Sequence, residues 1–296
     1  MREPPPGVDD SDVLEAIRGR WGGTASTAEH VPVGFGAHHW RAGDLFVTLD
    51  TFRSRHTATS LEAAYAGAAA LHAAGLEFVH PSLPTTDGSF TVPLGGGALS
   101  CTPWRDGTSG GDLDLDWTSE VLRRLHVVPP PVDLPEWRPL VDRNFAEQTT
   151  ELSGRGWGPG PYADRARDAV RDHLVDIATW TSRYHHLAEV AEGHEWVATH
   201  GEPHAANQLA TREGRLLIDW ESLKLAPPEL DLRTLVDAGL DPVDVGADPE
   251  MLELFDLEWR LDEISQYAAW FAAPHTGTQD DRIAFGGLLH ELERDA

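Results

Sequence analysis

Apolar positions recur along this chain with two periods, and the change from one to the other falls near residue 115. Upstream the apolar runs are short, alternating and broken by glycine. Residues 44–50, Asp-Leu-Phe-Val-Thr-Leu-Asp, alternate as a half-buried strand does. They follow Val31-Pro32-Val33-Gly34-Phe35-Gly36-Ala37-His38-His39-Trp40, where two glycines between apolar flanks predict a tight strand–turn–strand. Residues 75–84 lead into a hairpin turning at Asp87-Gly88, with Phe90-Thr91-Val92 after it. Glycines 95–97 then precede a strand over 98–102. Two helices interrupt the strands. One is a short helix at 13–17, capped by Ser11 or Asp12 and stopped by Gly19. The other runs over 59–74, with Leu61, Tyr65, Ala68 and Leu71 at helical spacing. The Pro-rich, acidic residues 1–10 predict a mobile tail, and the Gly/Asp-rich residues 108–116 predict a linker.

Downstream the period lengthens. Residues 116–126 predict a helix ended by the prolines at 129–131. Residues 162–191 predict one long amphipathic helix with Tyr162, Ala166, Val170, Leu174, Ile177, Thr181 and Leu187 on a face. Three further helices are expected at 230–240, 251–272 and 279–295. Trp104 reads either as a cleft wall or as core. His126 ends an apolar stripe and reads as structural. His185 and His186 are adjacent on a helix and so point different ways, which argues against a metal pair. Asp256, Glu258, Asp262 and Glu263 fit either a pocket for an amine-bearing molecule or a charged solvated face. The chain therefore divides into residues 1–103, a connector at 104–115 and residues 116–296. Its class is α+β, a small antiparallel β lobe with one helix followed by a larger, mainly α-helical lobe.

Charge narrows the partners. Lys and Arg number 23 against 49 Asp and Glu, a formal net charge of −26. A nucleic-acid partner needs its phosphates neutralised by basic side chains, so neither nucleic acid nor an anionic membrane surface is expected. A cationic small molecule suits the field of such a protein, as does acidity kept for solubility. The single cysteine, Cys101, excludes an intramolecular disulfide and fits a reducing cytoplasm. No apolar run is long enough to span a bilayer.

The chemistry concentrates in residues 196–221. An apolar segment, Trp196-Val197-Ala198, enters Thr199-His200-Gly201-Glu202-Pro203-His204-Ala205-Ala206-Asn207. After a turn at Arg212-Glu213-Gly214, the run 215–218 ends in Asp219, followed by Trp220-Glu221. A hairpin of this kind carries a carboxylate to its rim, facing the loop that holds Glu202 and Asn207. A carboxylate and an amide oxygen suit a hard cation that keeps waters and phosphate oxygens as its other ligands. A second carboxylate beside them can orient a hydroxyl or take its proton. Together these are the minimal parts for phosphoryl transfer from a magnesium nucleotide.

His200-Gly201-Glu202 with Asn207, Ile218-Asp219-Trp220-Glu221, and Pro228-Glu229-Leu230-Asp231 resemble, in order and spacing, the catalytic and metal-binding segments of the aminoglycoside phosphotransferase family. These are small-molecule kinases with a protein-kinase-like, two-lobed fold. The resemblance implies that Asp219 chelates Mg2+, that Asn207 holds a second metal ion or steadies the loop, and that Glu202 orients the acceptor hydroxyl. It gives His200 the bracing of the loop, and Asp231 a structural tether. It makes Gly34, Phe35 and Gly36 the phosphate-covering turn, puts adenine against the backbone of 101–104, with Cys101 and Trp104 at the hinge, and implies ATP or GTP as cosubstrate. The acceptor would be a small hydroxylated molecule, an aminoglycoside-like antibiotic or an amino metabolite. Two departures stand out. Glu202 replaces the family's aspartate, one methylene longer. The family's nucleotide-binding lysine is missing: Thr48 or Leu49 stands in its place, and the chain's one lysine is Lys224. Arg53 or Arg55 is the nearest substitute, and Glu62 is the acid that such a cation would pair. These departures leave open a catalytically silent, kinase-shaped binding protein.

Overall fold

The structure is a computed structural model that describes residues 1–34, 36–52 and 55–294. The chain packs as two compact units, Met1–Trp137 with Glu195–Ala247, and Arg138–His194 with Asp248–Ala296.

The first unit opens on α1 (Asp10–Arg20) and a five-stranded antiparallel sheet in the order β1-β2-β3-β5-β4. Its strands are β1 (Glu29–Val31), β2 (His38–Ala42), β3 (Leu45–Thr51), β4 (Val92–Leu94) and β5 (Gly97–Pro103). Strand alternation sorts the faces of this sheet. Val47 and Leu49 of β3 join Trp40, Leu99 and Cys101 in one core, closed by Val13 and Ile17 of α1. Phe46, Thr48 and Asp50 take the opposite face, where α2 (Ala58–Ala73) places Leu61 and Tyr65. Thr48 sits opposite His39 in β2 and Ser100 in β5.

The rest of this unit carries the chemistry. β6 (Gly107–Ser109), β8 (Gln208–Thr211) and β9 (Gly214–Leu217) form a three-stranded sheet in the order β6-β8-β9. β7 (Val197–Thr199) pairs antiparallel with β10 (Lys224–Ala226). Around them stand α3 (Leu115–Val127), α7 (Glu229–Asp237) and the short α8 (Pro242–Val245). Leu71 of α2, Leu122 and Leu125 of α3, Leu217, Trp220 and Leu223 share one buried cluster. Each aliphatic side chain of that cluster contributes roughly 1.5–3 kcal/mol by leaving water. The hairpin that ends in Asp219 is thus anchored on an apolar floor.

The second unit is helical: α4 (Phe145–Ser153), α5 (Ala163–Asp172), α6 (Leu174–Ala191), α9 (Pro249–Ala272) and α10 (Gln279–Glu293). Of the four acids singled out in the sequence here, Glu258 and Asp262 are buried and hydrogen-bonded, while Asp256 and Glu263 are partly exposed. Glu258 accepts from Tyr184 Oη at 2.6 Å, Asp262 from Gln266 Nε2 at 2.7 Å, and Asp256 holds Arg294 Nη1 at 2.7 Å.

Several expectations are corrected. Residues 1–10 are docked rather than mobile: Val8 is buried in the α1 core, and the Met1 ammonium bonds the carbonyl of Val33 at 3.1 Å. The first helix starts earlier than its sequence cue, because Asp9 and Asp12 form a capping box around its first turn. The Asp87-Gly88 turn exists, with Thr85 N donating to Ser89 O at 2.7 Å, but the segments flanking it do not pair as a hairpin. Part of the linker is β6, recruited as an edge strand by β8. The long helix over 162–191 is broken at His173, where the backbone leaves helical geometry at φ −108°, ψ 13°. α4 and α8 were not foreseen; both are short, and α8 spans only four residues.

Candidate active site

β7 delivers Thr199 and His200 to a loop whose backbone is pinned from behind. Asp231, in the first turn of α7 and fully buried, accepts from His200 N at 3.0 Å, Gly201 N at 2.7 Å and His126 Nε2 at 2.9 Å. His126 is therefore structural, as its apolar stripe suggested. Gly201 has φ 94°, and a Cβ there would stand 2.9 Å from the Ser222 Cβ, so both the left-handed backbone and the close approach require glycine. His200 Nδ1 accepts from Glu202 N at 3.2 Å while Nε2 donates to Ile218 O at 2.9 Å, which fixes its tautomer. Its ring stands edge-on to Trp220 at 4.5 Å. Burial holds the imidazole below its ordinary pKa, so it works as a neutral brace.

The same stitching gathers the three polar residues singled out in the sequence. Asn207 ends a 3-10 turn, Ala205–Asn207. Its Nδ2 donates to Glu202 O at 2.9 Å, and its own carbonyl accepts from Ile218 N at 2.9 Å. Asp219 comes next in the chain, with φ 72°. A left-handed non-glycine residue is uncommon, is best tolerated by Asp or Asn, and clusters at functional sites. Asp219 and Asn207 both line a cavity of about 390 Å³. Gly34, Phe46, Thr48 and Trp104 line it as well.

The electrostatics are uneven. Desolvation works to raise the Glu202 pKa, but His204 Nε2 at 3.7 Å and Arg55 Nη1 at 3.2 Å outweigh it and hold the carboxyl at about 2. Glu202 is therefore ionised at neutral pH. Its neighbours go the other way. Asp50 is buried on β3, accepts from Tyr65 Oη at 2.6 Å, and is pushed up to about 7 by desolvation despite that bond, with the Asp219 charge adding to the rise. Asp219 is raised by desolvation and by Glu202 even though its side chain reaches solvent in the cavity. Glu221 rises well above the carboxylate range through burial and the charges of Asp219, Glu202 and Asp50. Its Oε2 is buried without a hydrogen-bond partner.

This donor set suits a magnesium ion. Asp219 offers a carboxylate, and Asn207, with its amide nitrogen turned to Glu202 O, offers Oδ1. Among the described residues no three His, Cys, Asp or Glu side chains gather as a metal cage. An ion here would complete its shell with phosphate and water, as Mg2+ does at nucleotide sites.

The other sequence candidates fall on both sides of the cavity wall. Gly34 lines it with φ 69°, and a Cβ there would meet His39 Nε2 at 3.1 Å. Gly36 has φ 104° with open space beside it. Phe35 and Arg53 lie outside the described residues. Trp104 is cavity wall rather than core: it is half-buried, 6.0 Å from Phe46, and the Arg41 guanidinium covers its ring at 4.2 Å. Cys101 itself does not line the cavity. Its side chain joins the α1 core and its carbonyl accepts from Leu83 N at 2.7 Å, so the cavity meets Thr102, Pro103 and Trp104 instead. Strand alternation explains this, since Cys101 shares the face of Val47, opposite it in β3. Among the described residues, Glu62 is bound to loop backbone and a hydroxyl: it accepts from Phe90 N at 2.8 Å, Thr91 N at 2.9 Å and Thr91 Oγ1 at 2.7 Å. Asp50, Tyr65 and His39 were missed as site residues. The signal for Asp50 was available, because the alternation that places Phe46 and Thr48 on the cavity face continues to it.

Comparison with known proteins agrees with this geometry. Residues 34–270 match the phosphotransferase enzyme family. Protein StrN of Streptomyces griseus is 27% identical over 283 residues, covering 89% of this chain and 86% of its own. A spectinomycin phosphotransferase solved with ADP and spectinomycin superposes with a TM-score of 0.69 at 15% identity, over 95% of this chain and 94% of its own. A microcompartment-associated aminopropanol kinase superposes with a TM-score of 0.57 at 13% identity, over 96% and 95%. The fold is thus the α+β, protein-kinase-like fold of small-molecule kinases. With its family match over most of the chain, this protein belongs to the phosphotransferase enzyme family, the small-molecule kinases that phosphorylate hydroxyl groups.

Proposed function

We propose that the cavity binds a magnesium nucleoside triphosphate, ATP or GTP, and that the protein moves its γ-phosphoryl group to a hydroxyl of a small, amine-bearing molecule. The observation that carries this reading is the stitched arrangement of Glu202, Asn207 and Asp219, with Asp219 in left-handed backbone on the wall of a cavity that Gly34 also lines. Asp219 and Asn207 would hold the magnesium ion, which supplies neutralisation of β- and γ-phosphate charge when bound. Glu202, kept ionised, receives the proton of the acceptor hydroxyl. His200 and Asp231 keep the loop in place, so the carboxylate meets the hydroxyl without reorganising. Phe46 and Trp104 offer apolar walls for a nucleobase, and residues 104–115 serve as the hinge.

An amine-bearing acceptor is supported by the net charge of −26 and by relatives that act on spectinomycin and aminopropanol. An aminoglycoside-like antibiotic and an amino metabolite both satisfy it. Nothing in the charge favours nucleic acid. Among the described residues no helix is long and apolar enough to cross a membrane, and a lone buried Cys101 fits a reducing cytoplasm.

The test is a screen for ATP and GTP consumption across hydroxylated antibiotics and amino alcohols, with the phosphorylated product confirmed by mass. Asp219→Ala is expected to abolish transfer and magnesium-dependent nucleotide binding while the protein stays folded. Unchanged magnesium-dependent binding in that variant would overturn the assignment. Binding without turnover for any acceptor would favour a catalytically silent member, the reading that the missing lysine supports.

A further inference from the structure

The cavity face of β3 has no cation. Phe46, Thr48 and Asp50 occupy it, and Lys224, the only lysine of the chain, lies away in β10. The charges of Asp219, Glu202 and Asp50 all act on Glu221, and that of Asp219 acts on Asp50. On the kinase reading, a polyanionic triphosphate enters this acidic setting. One magnesium ion on Asp219 and Asn207 offsets only part of that charge.

We propose that Arg55 supplies the missing cation, contacting the transferring phosphoryl group while it holds Glu202. The proposal rests on the kinase reading above. Arg55 lies between β3 and α2, far from Glu202 in sequence, yet its Nη1 stands 3.2 Å from Glu202 Oε1. Both side chains are about one-fifth exposed, so the pair is largely shielded yet still open to a ligand. A guanidinium presents several N–H donors in a fixed fork, so it can grip a carboxylate and a phosphate oxygen at once, as an ammonium does less well. Glu202 takes the proton of the attacking hydroxyl. A group in contact with that carboxylate is therefore one hydrogen bond from the atoms that react. In the transfer, the acceptor oxygen forms its bond to the γ-phosphorus and the bridging oxygen–phosphorus bond breaks. The electron pair leaves on the nucleoside diphosphate, and the hydroxyl proton passes to Glu202. Arg55 faces the equatorial oxygens where negative charge is spread, a role for which arginine is suited. Arg105 is the arginine among the residues that line the cavity, but it lines the end formed by Pro103, Trp104 and Gly107, away from Glu202.

The test measures, by calorimetry with magnesium, the affinities of non-hydrolysable ATP and GTP analogues and of ADP and GDP. The proteins are the wild type, Arg55→Ala, Arg55→Lys, Arg105→Ala and Glu202→Gln. Arg55→Ala is expected to weaken the triphosphate analogue by roughly 10–100-fold, the worth of a charged hydrogen bond. Diphosphate affinity should hardly change, because the contact is to the γ-phosphoryl group. Arg55→Lys should recover part of the loss, while Arg105→Ala and Glu202→Gln should keep the triphosphate-to-diphosphate ratio. A wild-type ratio in Arg55→Ala would overturn the proposal and reduce Arg55 to a tether for Glu202, leaving the kinase reading intact. Wild-type protein that binds no magnesium nucleotide would overturn both.

Discussion

Two sets of acids meet around the active stretch, and they are built in opposite ways. Asp231 is fully buried and accepts from two backbone amides and an imidazole. Asp50, Asp219 and Glu221 crowd together with too few donors, and desolvation and mutual charge raise all three. A buried carboxylate surrounded by donors is scaffold, because its charge is already compensated where it stands. Carboxylates left to repel one another are a site awaiting a cation, and the molecule forgoes stability to keep them. The scaffold acid sits directly behind the loop that presents the others. The order of one makes the disorder of charge in the other tolerable.

Breaking the scaffold should have the largest effect. Asp231→Ala leaves two buried amides and His126 without their acceptor, at a cost of about 3–5 kcal/mol. Urea unfolding should show this loss, and nucleotide binding should fall with it as the Glu202 loop loosens. A loss under about 1 kcal/mol would mean that the loop is held by other contacts.

Relieving the crowded group should stabilise, and in a pH-dependent way. Asp50 ionises near 3.8 in the unfolded chain and at about 7 in the folded one, so the folded protein holds a proton that the unfolded chain releases. Its stability therefore falls as pH rises from about 4 to about 7. Asp50→Asn removes that penalty and still accepts from Tyr65 Oη. Measured with EDTA, the variant should match wild type near pH 4 and exceed it by on the order of 2 kcal/mol at pH 8. Equal stability of the two proteins at pH 8 would show that Asp50 carries no such strain.

The smallest effect separates a tether from a nucleotide residue. Glu62→Ala removes three hydrogen bonds to Phe90 and Thr91 and should cost about 1–2 kcal/mol in thermal or urea unfolding. Magnesium-nucleotide affinity should stay at the wild-type level. A clear drop in affinity at unchanged stability would return Glu62 to the role of a cation's partner.

Much of this was legible in the chain, and the misses have physical causes. The strands β2, β3 and β5 and the helices α2, α3, α9 and α10 follow from periodicity, because each has one apolar face long enough to show. The break at His173 was invisible, since Leu174 continues the apolar spacing across it. β6 was read as linker because three exposed, small residues become a strand only when β8 offers an edge. The resemblance gave the backbone of 101–104 to adenine and said nothing of the Cys101 side chain, which strand register turns into the core.

The residues of the active stretch alone specified the class of chemistry. Their types and spacing encode a carboxylate, an amide and a second carboxylate, and such chemistry depends on which atoms are present. Only the tertiary structure decided which other groups share their field. Asp50, Tyr65 and Arg55 come from strand, helix and loop distant in sequence, and Asp231 turns inward to grip the loop from behind. Charge acts through space at a few ångströms, so its balance is set by folding, which brings together residues that lie far apart along the chain.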